Sequence, residues 1–268
     1  MNALRVALAF LRRDLRIELS YRANLAYGLI GGFALLMVFY FVGATVGAAP
    51  ALARHGGDYF AFAVVGVAAT GPLHAALVEL ARRVREAQVS GTLEAVLATP
   101  VGPARAIVYS VLYPLGSSCV RMALLLAGGA LLFDLPIASR GIPTALVVLA
   151  VAFAGYGAMG LLSAAFTVRF QRGDPVAFML DMVSVLLGGV FYPVEVLPPP
   201  LQAASRFLPA THALEALRRA LLGGAGLAEV APSLAALAAF AAVGAPAAWL
   251  AFRWAIRRAK DDGSLTHF

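Results

Sequence analysis

Residues 23–53 read ANLAYGLIGGFALLMVFYFVGATVGAAPALA, without one charged side chain. A helix needs about 20 apolar residues to cross the hydrocarbon of a bilayer, and this stretch exceeds that length. Three more windows, 59–78, 141–168 and 230–252, are likewise free of Asp, Glu, Lys and Arg. Two others are interrupted once, 106–133 by Arg121 and 175–194 by Asp181. The whole 268-residue chain follows the same bias, with 61% hydrophobic and 13% charged residues and a mean hydropathy of +0.84. Those values exclude an ordinary soluble domain. The sequence therefore predicts an all-α membrane protein of six transmembrane helices, at 23–47, 59–81, 106–133, 142–168, 175–194 and 230–252.

Ahead of the first window, LRVALAFLRRDLRIELSYR (4–22) sets Leu4, Leu8, Leu11, Leu15 and Leu19 near one side and its arginines largely elsewhere. Residues 1–22 read as an amphipathic interfacial helix lying on the bilayer. No cleavable signal is expected, so the first span stays as an anchor. Basic residues are costly to translocate and accumulate in the cytoplasm. Six spans with both termini cytoplasmic leave only Arg54, Arg140, Arg206, Arg218 and Arg219 outside, and a cytoplasmic tail at 253–268. The net charge of +7 thus follows the membrane boundaries and suits anionic lipid, not nucleic acid. Cys119 is the single cysteine, and no disulfide can form within the chain.

Two connections exceed a simple loop. The cytoplasmic one, 82–105, begins as a charged continuation of the second span, with Leu77, Leu80, Val84 and Ala87 at helical spacing. After Ser90 and Gly91, the phrase GTLEAVLATP (91–100) forms a short helix with Leu93, Val96 and Leu97 on one face and Glu94 turned away. The external one, 195–229, holds two short helices. Pro198, Pro199 and Pro200 start the first. Thr211 is placed to cap the second, which Gly223 and Gly224 end. These pieces are expected to enter the outer leaflet without crossing it.

The phrases SGTLEAVLATPVGPARAI (90–107) and GGVFYPVEVLPPPLQAASRFLPATHALEALRRALLGG (188–224), in that order within six spans, resemble the permease subunit of ABC-2 type exporters. Relatives of that kind include bacterial drug-resistance permeases and exporters of lipid-linked glycans. The resemblance implies a permease in the bacterial cytoplasmic membrane that moves an amphipathic or lipid-like substrate (drug, lipid or lipid-linked glycan) outward. It implies two copies of a separate ABC ATPase, with ATP and Mg bound there and none in this chain. It implies a second permease subunit as well, homodimer or heterodimer. Gly91, Thr92, Leu93, Glu94, Val96, Leu97, Thr99 and Pro100 become the coupling helix that docks on the ATPase. Tyr192, Pro193, His212 and Glu215 become candidates for an external gate.

The sequence supports a separate motor on its own terms. A Walker A loop needs glycine-rich backbone leading to Lys-Ser or Lys-Thr, because the lysine reaches the nucleotide phosphates. The single lysine, Lys260, precedes Asp261, so this chain is not expected to be an ATP-hydrolysing enzyme.

Ionisable residues within spans mark cavities or partners, because a charge in hydrocarbon is expensive. Arg121, Asp181 and Glu79 are the pathway candidates. An ion pair between Arg121 and Asp181 fits their depths, as either a packing device or a substrate contact, while Glu79 falls at the cytoplasmic boundary. His212 and Glu215, three apart, are expected to close the external helix on itself. The four histidines show no metal-ligand spacing. A proton-coupled carrier using Asp181 or Glu79 is the alternative, against which stands the lack of an internal repeat. An intramembrane hydrolase would need a base beside Ser163 or Ser184, and none is visible.

Overall fold

The computed structural model describes residues 12, 16, 22–47, 52, 57–89, 103–170 and 175–261. Among these residues the regular structure is helical, with no strand. The coupling phrase, Gly91 to Pro100, lies outside the described residues. Of the N-terminal segment, Arg12 and Arg16 are described, both helical and exposed.

The helices are α1 (Arg22–Val46), α2 (Tyr59–Val89), α3 (Pro103–Phe133), α4 (Ile142–Phe170), α5 (Pro175–Leu187), α6 (Pro199–Ser205), α7 (Pro209–Leu221) and α8 (Ala231–Asp261). Four of them contain segments long and apolar enough to cross a membrane: Tyr59–Ala87, Tyr109–Phe133, Ser139–Phe170 and Ala231–Arg258. Two apolar segments are shorter, Ile30–Val46 and Ala177–Leu187.

Local chemistry sets the helix ends. Asp58 Oδ1 accepts the Phe60 N–H at 2.9 Å, which satisfies one of the unpaired donors that open α2. Pro175, Pro199 and Pro209 each occupy the first position of a helix, where a missing N–H carries no penalty. α7 therefore begins at Pro209, two residues before Thr211, and its N-cap residue Leu208 makes no side-chain cap. Thr211 instead donates to the Ser205 carbonyl at 2.8 Å. α5 stops at Leu187 although the apolar window runs to 194, because Gly189 takes a left-handed φ of +82° that turns the chain.

α2 is the central helix: it packs on α1, α3, α4, α5 and α7, and 72% of its most apolar window is buried, against 11% for α8. Gly160 of α4 allows a close approach to α2, since a Cβ there would lie 2.7 Å from the carbonyl oxygens of both Ala76 and Leu77. At one end of the bundle the Phe60 and Phe133 rings meet at 5.7 Å, and the Ala138 N–H donates to the Leu221 carbonyl at 2.7 Å. At the other end Leu80, Val84, Val111, Val168, Phe252 and Ala255 form a separate apolar cluster. The beginnings of α2, α4 and α8 thus share one end with α7, and their far ends share the other with the start of α3.

Candidate functional site

Two polar constellations interrupt the apolar bundle, one at mid-helix depth and one under the short helices. The first joins α2 to α5. His74 Nδ1 lies 3.0 Å from Asp181 Oδ2, with the histidine about half exposed and the carboxylate 29% exposed. Behind it Tyr156, buried on α4, shares a hydrogen bond with Ser184 of α5. Asp181 therefore takes His74 as its partner in place of Arg121, the residue that matching depths had offered. Arg121 is exposed on α3 and donates Nη2–H to Ser117 Oγ at 3.2 Å. Depth along a helix does not report the direction a side chain faces. Glu79 accepts from Arg82 Nε–H at 3.0 Å, and Arg82 also bridges Glu86 on the same helix.

The second constellation was absent from the sequence reading. Arg218 of α7 is only 4% exposed. Its Nε–H donates to the Phe62 carbonyl at 3.1 Å, Nη1–H to the Gly189 carbonyl at 2.7 Å and Nη2–H to the Val190 carbonyl at 2.8 Å. Its Cζ lies 3.4 Å from the centroid of the Phe62 ring, within range of a cation–π attraction. The guanidinium is charged, because arginine keeps its proton in proteins. One signal was legible: Leu214, Leu217, Arg218 and Leu221 share a single helical stripe, which puts an arginine among the apolar anchors.

The geometry explains why a cation is there. α5 leaves its last carbonyls without helical donors, and irregular backbone at membrane depth is tolerated only when buried in protein and satisfied. Arg218 satisfies two such carbonyls beyond the end of α5, where the negative end of the helix dipole also favours a cation. Gly66 makes room: a Cβ there would come within 2.3 Å of both Arg218 Nη2 and the Val190 oxygen.

The external gate candidates surround this clamp. Tyr192 donates its hydroxyl to the Leu186 carbonyl, closing the turn after α5. Pro193 is buried and precedes the 3-10 turn Val194–Val196. His212 Nε2 meets the Arg206 carbonyl at 2.9 Å, which binds α7 to the preceding turn. The other end of α7 is held as well. Arg140 Nη2–H donates to the Gly223 carbonyl at 3.1 Å, and Gly224, at φ +66°, lies against the Arg140 side chain.

Among the described residues no group of three or more His, Cys, Asp and Glu side chains is placed to hold a metal ion. No curated protein matches the chain. The family model described as ABC-2 type transporter matches residues 16–222, a stretch that takes in α1 to α7 and both polar constellations. This chain belongs to the ABC-2 type transporter family.

Proposed function

We propose that this chain, the permease component of an ABC transporter, is an exporter subunit with six spans, both termini in the cytoplasm, working in a bacterial cytoplasmic membrane. Two ABC ATPase subunits drive it from segment 90–102, and a second permease subunit completes the path. The cargo is amphipathic or lipid-like, in keeping with a bundle whose exposed surface is dominated by large apolar side chains. The observation that carries this reading is the family match over residues 16–222. The lack of a phosphate-binding loop in the chain supports a separate motor.

Docking of Leu93, Val96 and Leu97 would bury about 1.5–3 kcal/mol of apolar surface per side chain, as an upper bound. Leu93→Asp and Leu97→Asp place charges in that contact. The expected outcome is loss of co-purification with a co-expressed ABC ATPase partner, with membrane insertion retained. Unchanged co-purification would refute docking at this helix.

The His74–Asp181 pair is the one observation that favours the second reading, a proton-coupled carrier. Transport abolished by an uncoupler yet indifferent to ATP depletion would select it.

A further inference from the structure

α7 has no loose end. Its first turn is tied to the α6–α7 corner through Thr211 and His212, and its last turn to the 138–141 segment through Ala138 and Arg140. The same last turn is tied to α2 and to the chain beyond α5 through Arg218. A lysine is not equivalent to that arginine, because its three N–H groups radiate from one nitrogen, whereas the guanidinium reaches three carbonyls from three nitrogens of a rigid plane. α2 then runs as one helix, with Pro72 inside it, from Phe62 to Val89, where segment 90–102 begins.

We propose that Arg218 is a positioning residue for transport. It makes α7, the outer end of α2 and the outer end of α5 a single rigid body, so that a displacement carried along α2 past Pro72 moves the three together at the outer mouth. The short helices then do not swing as a flap of their own; the mouth opens between the two permease subunits. This inference rests on the reading that segment 90–102 receives the motor.

The physical basis is the number of independent ties. A helix held by one contact can pivot about it, whereas α7 is fixed at both ends, and at its last turn by bonds to three different segments. The Arg218 tie is also the least replaceable. Opening it would strand a guanidinium and its carbonyl partners in a water-free place, where unpaired polar groups are expensive.

The test uses spin labels in the assembled complex, reconstituted in phosphatidylethanolamine–phosphatidylglycerol vesicles. With Cys119→Ala as background, Gly71→Cys on α2 and Arg219→Cys on α7 are labelled in one chain, diluted with unlabelled chains. A side chain at position 71 meets nothing within 4 Å, and Arg219 is exposed. The 71–219 distance is expected to be the same without nucleotide and with ATP plus vanadate, while the 219–219 distance between subunits shifts. A 71–219 distance that shifts with nucleotide in the unsubstituted clamp overturns the proposal. Arg218→Met is expected to broaden that distance and make it nucleotide-dependent. Should that variant not fold, Gly66→Ala retains the arginine but crowds Nη2 and the Val190 oxygen, and the same broadening is expected. A distribution as narrow as the parent's in either folded variant also overturns it. Failure of the ATPase to co-purify with the parent chain would instead sink the motor reading, because the 71–219 distance is measurable in the chain alone.

Discussion

Gly66 and Arg218 fit each other to within one methyl group, since the missing Cβ would stand 2.3 Å from the guanidinium and from the Val190 oxygen alike. Neither neighbour yields easily. The oxygen is backbone, and the nitrogen is the bonded end of a buried fork, not a side-chain tip free to swing away. Gly66→Ala is therefore expected to lower stability by about 1–3 kcal/mol, the range for overpacking a filled interior. Gly157 supplies the control, because a Cβ there meets nothing within 4 Å. Gly157→Ala is expected to be neutral or to stabilise by up to about 1 kcal/mol, through the lost flexibility of the unfolded chain. Thermal midpoints in one detergent compare the two, and equal effects would mean that the slot at Gly66 is not tight. The sequence held half of this site. An arginine on the Leu214–Leu217–Leu221 stripe is readable as out of place, but its partners are the carbonyls of Phe62, Gly189 and Val190. Backbone oxygens leave no mark on residue identity, so no sequence pattern points to them.

Between elements the decisive feature is that α2 and α5 are tied twice, by Arg218 near the ends that meet α7 and by His74–Asp181 deeper in the bundle. The windows of missing charge were enough to find the apolar helices, because hydrocarbon excludes charge wherever it lies. They overran α5, since Val190, Phe191, Tyr192 and Pro193 are apolar without being helical. Hydropathy sees the solvent a segment prefers, not the φ of Gly189 that ends it. The pairing of Asp181 was similarly hidden: helix depth selected Arg121, whereas helix rotation selects His74. The tie makes its own prediction. His74→Leu leaves a carboxylate unpaired and Asp181→Leu leaves an imidazole unpaired. Each is expected to cost about 1–3 kcal/mol, less than for a fully buried pair because both groups keep some exposure. The double replacement by leucine is expected to recover much of that loss, because no polar group then lacks a partner. A double-mutant cycle on the thermal midpoint measures it. Simple additivity of the two single effects would show that the groups do not interact.

At the scale of the whole molecule, topology depends on α5, the shortest of the apolar helices. Its 13 residues span about 20 Å at 1.5 Å per residue, short of the roughly 30 Å of a hydrocarbon core. In the proposed six-span arrangement the buried turn of Gly188, Gly189 and Val190 would complete the crossing, with the Gly189 and Val190 carbonyls capped by Arg218. A hydropathy count alone, with only four long apolar helices, leaves open whether α5 crosses; the clamp supplies a physical reason for it to do so. The packing then fixes the sides. α7 touches the beginnings of α2 and α4, so residue 207 shares a side with the start of α2, and residue 89 lies opposite. Basic residues cluster beyond the far ends, with Arg253, Arg257 and Arg258 on α8 beside the exposed Trp249 and Trp254, an arrangement suited to an inner membrane surface. Phe207 and Val89 are both exposed, so each accepts a probe cysteine in the Cys119→Ala background. In intact cells a membrane-impermeant maleimide is expected to label Phe207→Cys at once, and Val89→Cys only after permeabilisation. Labelling of both from the same side would mean that α2 does not cross as argued, while the reverse pattern would invert the whole bundle and put segment 90–102 beyond the reach of any cytoplasmic ATPase.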